Sequence, residues 1–330
     1  MKNTVFILWM LMLFISCDNR TKMSFSGEAQ GTYYLVHYYD HSQRNFQAQV
    51  DSLLGDFDRS VSLWVPGSVI SRINRNEAGV RADTVVRALF HRSVAISRAT
   101  SGYFDFTVGP LVNAWGFGFR KGTEPDSAAI DRMLAFVDYR RVALKDGRII
   151  KEDTAIQIDF NAIAQGYSVD LVADFLEKQG IDDYLVDIGG EVYAHGRKPG
   201  GKPWVVGIEK PAGDPYDERR LEARARLENM ALATSGSYRK FYIKDGMKYS
   251  HTIDPHTGYP VTHPLLSVSV LADDCATADG YATAFMVMGV DRSLKLLGRM
   301  DNLEAFFIYS DSLGDHQTLF TEGFEEVLAD

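Results

Sequence analysis

Asp279 and Thr283 lie four residues apart in the stretch ATADGYATAFMVMG, residues 276–289. If that stretch is helical, the two side chains share one face. A carboxylate and a hydroxyl, both hard oxygen donors, suit Mg2+. That ion prefers octahedral oxygen ligation, with one or two protein carboxylates and the rest from phosphates and water. A second reactive group occupies YSHTIDPHTGYPV, residues 249–261. Pro255 and Gly258 mark a turn, and Asp254 is a natural turn starter. His251 precedes the turn and is a candidate general base, because its reference pKa lies near neutrality. The set of His251, Asp254 and His256 argues against zinc, since Pro255 prevents helical His spacing and no Cys joins it.

Three more stretches carry unusual composition. GYFDFTVGPLVNAWGFG, residues 102–118, crowds four glycines and five aromatics around one carboxylate, Asp105. Glycines allow close backbone approach and aromatics can stack on a planar ring. The same composition also fits a tightly turned core loop. In IDFNAIAQGYSVD, residues 158–170, a strand ends at Asp159 and a helix opens around Asn161. Such a junction aims backbone N–H groups outward and favours phosphate. Asp159 there either contacts a ligand or caps the helix. In LVDIGGEVYAHG, residues 185–196, a glycine pair interrupts a strand between Asp187 and Glu191, which suggests a bulge or a close approach.

The elements that must position these residues are legible from periodicity. Strands are predicted at 31–39, 184–194, 265–272 and 303–310, and a hairpin over 141–159 around Asp146-Gly147. Helical spacing marks 44–58, 83–101, 161–179 and 275–289, with Asp83 as an N-cap and Gly102 and Gly180 as stops. Residues 211–220 are polar, contain two prolines and read as a surface loop. The mixture is α+β, not a regular βα alternation. Neither G-x-G-x-x-G nor G-x-x-x-x-G-K-[ST] occurs, so a Rossmann or P-loop nucleotide site is excluded.

The N-terminus reads as a targeting segment. Lys2 precedes an apolar run over residues 5–15, which is short of the roughly 20 residues a membrane-spanning helix needs. It ends at Ser16-Cys17, the pattern of a lipoprotein cleavage site, with Cys17 as the lipid-bearing residue. The expected organisation is a signal peptide over 1–16, a tether over 17–26 and one domain over 27–330. This places the chain at a bacterial cell envelope, lipid-anchored and periplasm-facing. The chain is 45% hydrophobic and 24% charged, an ordinary globular balance. A net charge of −9 argues against a nucleic-acid partner. Only two cysteines occur, Cys17 and Cys275, so no disulfide framework is expected.

In this order and together, the motifs resemble the flavin transferase family called ApbE, the FAD:protein FMN transferases. The resemblance runs from Gln30-Gly31-Thr32 to Gly289 and is most specific at GYFDFTVGP (102–110), GGE (189–191), TSGSYR (234–239), SHTIDPHTG (250–258) and ADGYATA (278–284). It implies an α+β fold of mixed sheets with packed helices, related to the T-fold. It implies FAD contacts at Gln30, Trp64, Tyr103, Phe104, Asp105, Asp159, Gln165 and Ile253. It implies Mg2+ at the Ala162 backbone and the Asp279 and Thr283 side chains, with His251 and Asp279 as catalytic residues. Many family members carry Lys where this chain has Gln165, which brings no charge. The implied reaction moves FMN from FAD to a Thr or Ser hydroxyl of an acceptor flavoprotein of the envelope and expels AMP. Two other readings of the same residues are an FAD pyrophosphatase, with water as the nucleophile, and a non-catalytic flavin-binding lipoprotein.

Overall fold

The computed structural model describes residues 20–117, 125–211, 220–237, 241–244, 247–250 and 252–329. The predicted signal segment, Cys17, most of the 211–220 loop and His251 lie outside these. The chain opens with the hairpin β1 (Thr21–Ala29) and β2 (Thr32–Asp40). Helices α1 (Gln47–Val61), α2 (Val69–Asn74) and α3 (Thr84–Ala99) follow, then α4 (Gly109–Ala114) and α5 (Ser127–Leu134). A short hairpin, β3 (Val142–Lys145) and β4 (Arg148–Lys151), precedes α6 (Asn161–Lys178). Next come β5 (Tyr184–Ile188), β6 (Glu191–His195), β7 (Trp204–Glu209), β8 (Leu221–Leu227), β9 (Met230–Gly236), β10 (Phe241–Lys244) and β11 (Met247–Ser250). The last part holds β12 (Leu265–Ala272), α7 (Cys275–Leu297), β13 (Glu304–Ser310), β14 (His316–Phe320), α8 (Glu322–Val327) and β15 (Leu328–Ala329).

An eight-stranded antiparallel sheet, ordered β1-β2-β5-β6-β9-β12-β13-β14, forms the central layer. Strand alternation assigns its two faces. On β2, Tyr34, Val36 and Tyr38 turn inward to a helical layer in which α6 and α7 pack on each other and on the sheet. On the opposite face, Leu185, Val192, Leu232 and Phe306 meet a second apolar cluster from β7, β8 and α8, including Trp204, Leu227 and Phe324. Strand β12 is buried on both faces, which explains its nearly unbroken apolar sequence.

The expected α+β class holds, and Asp83 caps α3 by accepting from Val86 N–H at 2.8 Å. Two expectations change. Residues 21–26, read as part of a tether, belong to β1, which pairs with β2 over its whole length. As an edge strand it is mostly exposed, so its residues are polar and mask the strand period. The Gly189-Gly190 pair is not a bulge within one strand but a two-residue hairpin turn joining β5 to β6, with φ of 65° and 110°. Left-handed backbone at both turn positions favours glycine.

Candidate functional site

The site begins where α6 and α7 cross. Asp274 caps α7 by accepting from Thr277 N–H at 2.9 Å, and the helix then carries Asp279 and Thr283 on one face. Asp279 is 7% exposed, and its Oδ2 accepts from Gly166 N–H of α6 at 3.0 Å. A Cβ on Gly166 would lie 2.3 Å from the Cys275 carbonyl oxygen and 2.8 Å from the Asp279 Cβ, so only glycine permits this approach. Gly166 N–H is also the donor that a regular helical turn would direct to the Ala162 carbonyl. Thr283 Oγ1 lies 3.4 Å from Ser235 Oγ of β9.

A second carboxylate joins through the β5–β6 turn. Gln165 donates to the Ile188 carbonyl at 2.7 Å and to Glu191 Oε2. A Cβ on Gly189 would collide with the Gln165 amide at 2.0 Å, which ties the glycine turn to Gln165. Asp187 closes the turn by accepting from Gly190 N–H at 2.9 Å, and its other oxygen accepts from the Tyr33 hydroxyl at 3.3 Å. Burial pushes Asp279 up to about 7. Burial, then the neighbouring Asp279 charge, pushes Glu191 well above the usual carboxylate range. Burial thus favours the protonated form of both carboxyls, a perturbation of the kind that functional sites carry. Among the described residues no three His, Cys, Asp or Glu side chains converge as a ready-made metal cluster. The side-chain oxygen donors on hand are the Asp279 and Glu191 carboxylates and the Thr283 hydroxyl, and the Ala162 carbonyl lies one helical turn before Gly166.

The other predicted residues separate into two groups. Gln30 sits at the β1–β2 turn beside α6, where Ser168 Oγ donates to its Oε1 at 3.3 Å. Its amide nitrogen is buried without a hydrogen-bond partner, an unmet donor close to the Gln165 end of the site. Asp159 stands before α6 and accepts from Asn161 N–H at 2.8 Å, while its own N–H donates to the Phe106 carbonyl at 2.8 Å. Asp159 thus closes a two-residue turn ahead of α6, whose N-cap is Phe160 and carries no side-chain cap bond, and burial raises the Asp159 pKa. Asn74 pins the same segment, exchanging two hydrogen bonds of 2.8 Å with the Ile158 backbone.

The glycine- and aromatic-rich loop is tied into the fold by its own side chains. Phe104 is buried in the main core. Asp105 is buried, with its carboxylate bonded to Thr107 and to Tyr139 N–H. The Tyr103 ring stands edge-on to His256 at 4.5 Å, with the Arg292 guanidinium 5.2 Å from its centroid. His256 Nδ1 lies 3.1 Å from Asp254 Oδ1 and its Nε2 3.0 Å from the Ser101 carbonyl oxygen, both of them acceptors. The turn begun by Asp254 thus docks on the 101–103 loop, joining two motifs far apart in sequence. Ile253 packs with Leu111, Trp115 and Ile130 in a satellite cluster, and Trp64 stands 63% exposed. Sequence reasoning did not single out Gly166, Asn74, Ser235 or Asp170. Asp170 accepts from Cys275 N–H at 2.7 Å and Ala276 N–H at 3.0 Å. The one local signal was a glycine inside a strong helical pattern, which points to close packing.

An antiparallel α+β scaffold with a buried oxygen-donor face at a helix crossing defines the class of protein. The ApbE family profile matches residues 30–307, and the chain belongs to the ApbE family. It is 34% identical to the FAD:protein FMN transferase of Vibrio cholerae over 89% of this chain and 90% of that protein. It is 35% identical to the FAD:protein FMN transferase of Haemophilus influenzae, covering 89% of this chain and 88% of that one. Among solved structures, the apo Pseudomonas stutzeri flavinyl transferase ApbE superposes with a TM-score of 0.84 at 35% identity, covering 93% of this chain and 97% of that one.

Proposed function

We propose that this chain transfers FMN from FAD to a threonine or serine hydroxyl of an acceptor flavoprotein, releasing AMP, with Mg2+ held by Asp279, Thr283 and the Ala162 carbonyl. The names and coverage of the relatives support the flavin chemistry. The observation that carries the metal assignment is the Asp279–Gly166 contact, which holds a buried carboxylate against the α6 turn that follows Ala162. Hard oxygen donors from one carboxylate, one hydroxyl and one carbonyl fit Mg2+, whose remaining positions phosphate and water complete. Bound there, Mg2+ would offset charge on the pyrophosphate and on the departing AMP.

In the transfer, the acceptor hydroxyl oxygen bonds to the FMN-side phosphorus. The bond from that phosphorus to the bridging oxygen breaks, and its electron pair leaves with AMP. The hydroxyl proton passes to a base, for which His251 is the candidate. Gln165 orients Glu191 and the glycine turn rather than pairing a phosphate, consistent with its lack of charge. Gln30 offers an unmet N–H to the substrate. The proposal includes a lipid anchor on Cys17 and an acceptor facing the same side of the envelope.

Mass spectrometry tests it. The chain lacking residues 1–16 is mixed with FAD, Mg2+ and a candidate acceptor. A gain of one FMN on an acceptor Thr or Ser, abolished by chelation, is expected. FMN and AMP without an adduct would assign a hydrolase, and FAD bound but intact would assign a binding protein. Membrane-extracted full chain should have a mature N-terminus at diacylated Cys17, and an unmodified Cys17 would remove the anchor.

A further inference from the structure

Strand β7 is the outer strand of a three-stranded sheet ordered β15-β8-β7. Exposed apolar edges pair readily with other chains, and folded proteins blunt them with charge, proline or brevity. Of the edge strands in the two larger sheets, β1 carries Lys22 and Glu28 and β15 has only two residues. Strand β7 reads WVVGIE, with its one charge, Glu209, at the C-terminal end, and Val205 is 46% exposed. Among the described strands its only partner is β8.

This edge forms one side of a cleft of about 610 Å3. The floor is the outer face of the central sheet, including Leu35, His37 and Leu185. One end is framed by the Tyr39 and Trp204 rings, 6.0 Å apart, with the Lys198 ammonium 5.6 Å from the Trp204 ring. The cleft also reaches Gly190, Glu191, Gln165 and Ser235, the last of which adjoins Thr283. A segment lying along β7 therefore has a path to the Glu191–Asp279 end. The volume is that of a ligand-sized site.

We propose that β7 is the docking strand for the acceptor protein. An extended acceptor segment adds to the β7 edge through main-chain hydrogen bonds and carries its hydroxyl residue to the Glu191–Asp279 end. The occupant is a peptide because an open strand edge presents alternating N–H and C=O groups, which another extended backbone matches and a flavin does not. Main-chain pairing supplies affinity, while the cleft floor selects alternate side chains. The inference rests on the transfer reading above.

The probe is the acceptor domain that gains FMN in the mass assay, with its modified hydroxyl residue replaced by alanine so that it docks without reacting. Hydrogen–deuterium exchange of the folded chain should slow at the β7 amides when this domain is added. With the unaltered acceptor, Val205→Glu should raise the acceptor KM ten-fold or more and leave the FAD dissociation constant within two-fold of wild type. Val205→Thr, still β-branched, should stay close to wild type. Unchanged β7 exchange, or an unchanged acceptor KM in Val205→Glu, overturns the docking assignment while transfer stands. Absence of any FMN adduct with the wild-type chain overturns the transfer reading and the docking with it.

Discussion

Asp105 has both carboxylate oxygens engaged inside the protein. Oδ1 accepts from Thr107 N–H at 2.8 Å and from its hydroxyl at 2.7 Å, and Oδ2 accepts from Tyr139 N–H at 2.9 Å. Alanine there would leave three donors unmet beside a buried gap, at a cost on the order of 2–3 kcal/mol. Asparagine, whose NH2 cannot accept, should fall between. We expect Asp105→Asn to lower Tm while FAD affinity, measured well below Tm, changes less than three-fold. A ten-fold weaker FAD affinity at unchanged Tm would instead place the carboxylate on the flavin. The contrast with Asp279 shows what a sequence reveals at this scale. The Asp279–Thr283 pair was legible because four-residue spacing is local geometry. The coupling of Glu191 to Asp279 was not, because the β5–β6 turn that brings them together depends on chain pairing far from α7. Asp105 shows the converse: its place among aromatics is local, but its bond to Tyr139 N–H, which ties the loop to a segment 34 residues on, cannot be read from composition.

Helices α6 and α7 are held by two clamps one turn apart on α6. Gly166 N–H donates to Asp279, and Asp170 accepts from the N–H groups of Cys275 and Ala276 at the start of α7. The second clamp also places a carboxylate at a helix N-terminus, which the helix dipole favours. Gly166→Ala forces Cβ against backbone, so the helices must separate, with an expected loss of about 3 kcal/mol. The pH response of Asp170 gives a finer test. Burial, and then the charge of Asp274, push Asp170 up to about 7 from an ordinary 3.8. Asp274 is itself paired with Arg92 at 2.5 Å. The folded state thus binds the Asp170 proton more tightly than the unfolded chain does. That contribution to stability is present below about pH 4 and is lost as pH rises towards about 7. Asparagine removes this loss, so the stability of Asp170→Asn relative to wild type should rise between pH 5 and pH 8 by on the order of 1 kcal/mol, read as a rising difference in Tm. Parallel Tm curves for the two proteins would show that Asp170 does not titrate in this range. Element boundaries followed the same logic of local against distant causes. The hairpin at Asp146-Gly147 and the capped α3 carry their signals within a few residues. Strand β1 owes its existence to pairing with β2, and its exposed edge erased the alternation that would have announced it.

The whole molecule stacks three layers, with the central sheet buried on both faces. Helices cover one face, and the small sheet with α8 covers the other. Because the same strands feed both apolar clusters, we infer that the described chain from β1 to β15 unfolds as one domain. Phe324 of α8 tests this inference and links it to function. It is fully buried in the outer cluster, with its ring 5.5 Å from that of Phe306 on β13. Phe324→Ala should cost about 3–5 kcal/mol. In a cooperative molecule that loss lowers a single transition seen alike by calorimetry and by far-ultraviolet dichroism. In a molecule of separable layers, a second, lower transition would appear as the outer sheet melts alone. The functional consequence follows from where the layers place their contents. The Asp279–Gly166 crossing lies in the helical layer, whereas β7 belongs to the outer sheet. Below its melting temperature, Phe324→Ala should therefore loosen the cleft wall first and raise the acceptor KM several-fold. FAD affinity, set on the other side of the central sheet, should stay within two-fold. Equal losses in both constants would mean that the sheet transmits the damage across its full thickness, and that the two faces do not divide substrate from acceptor.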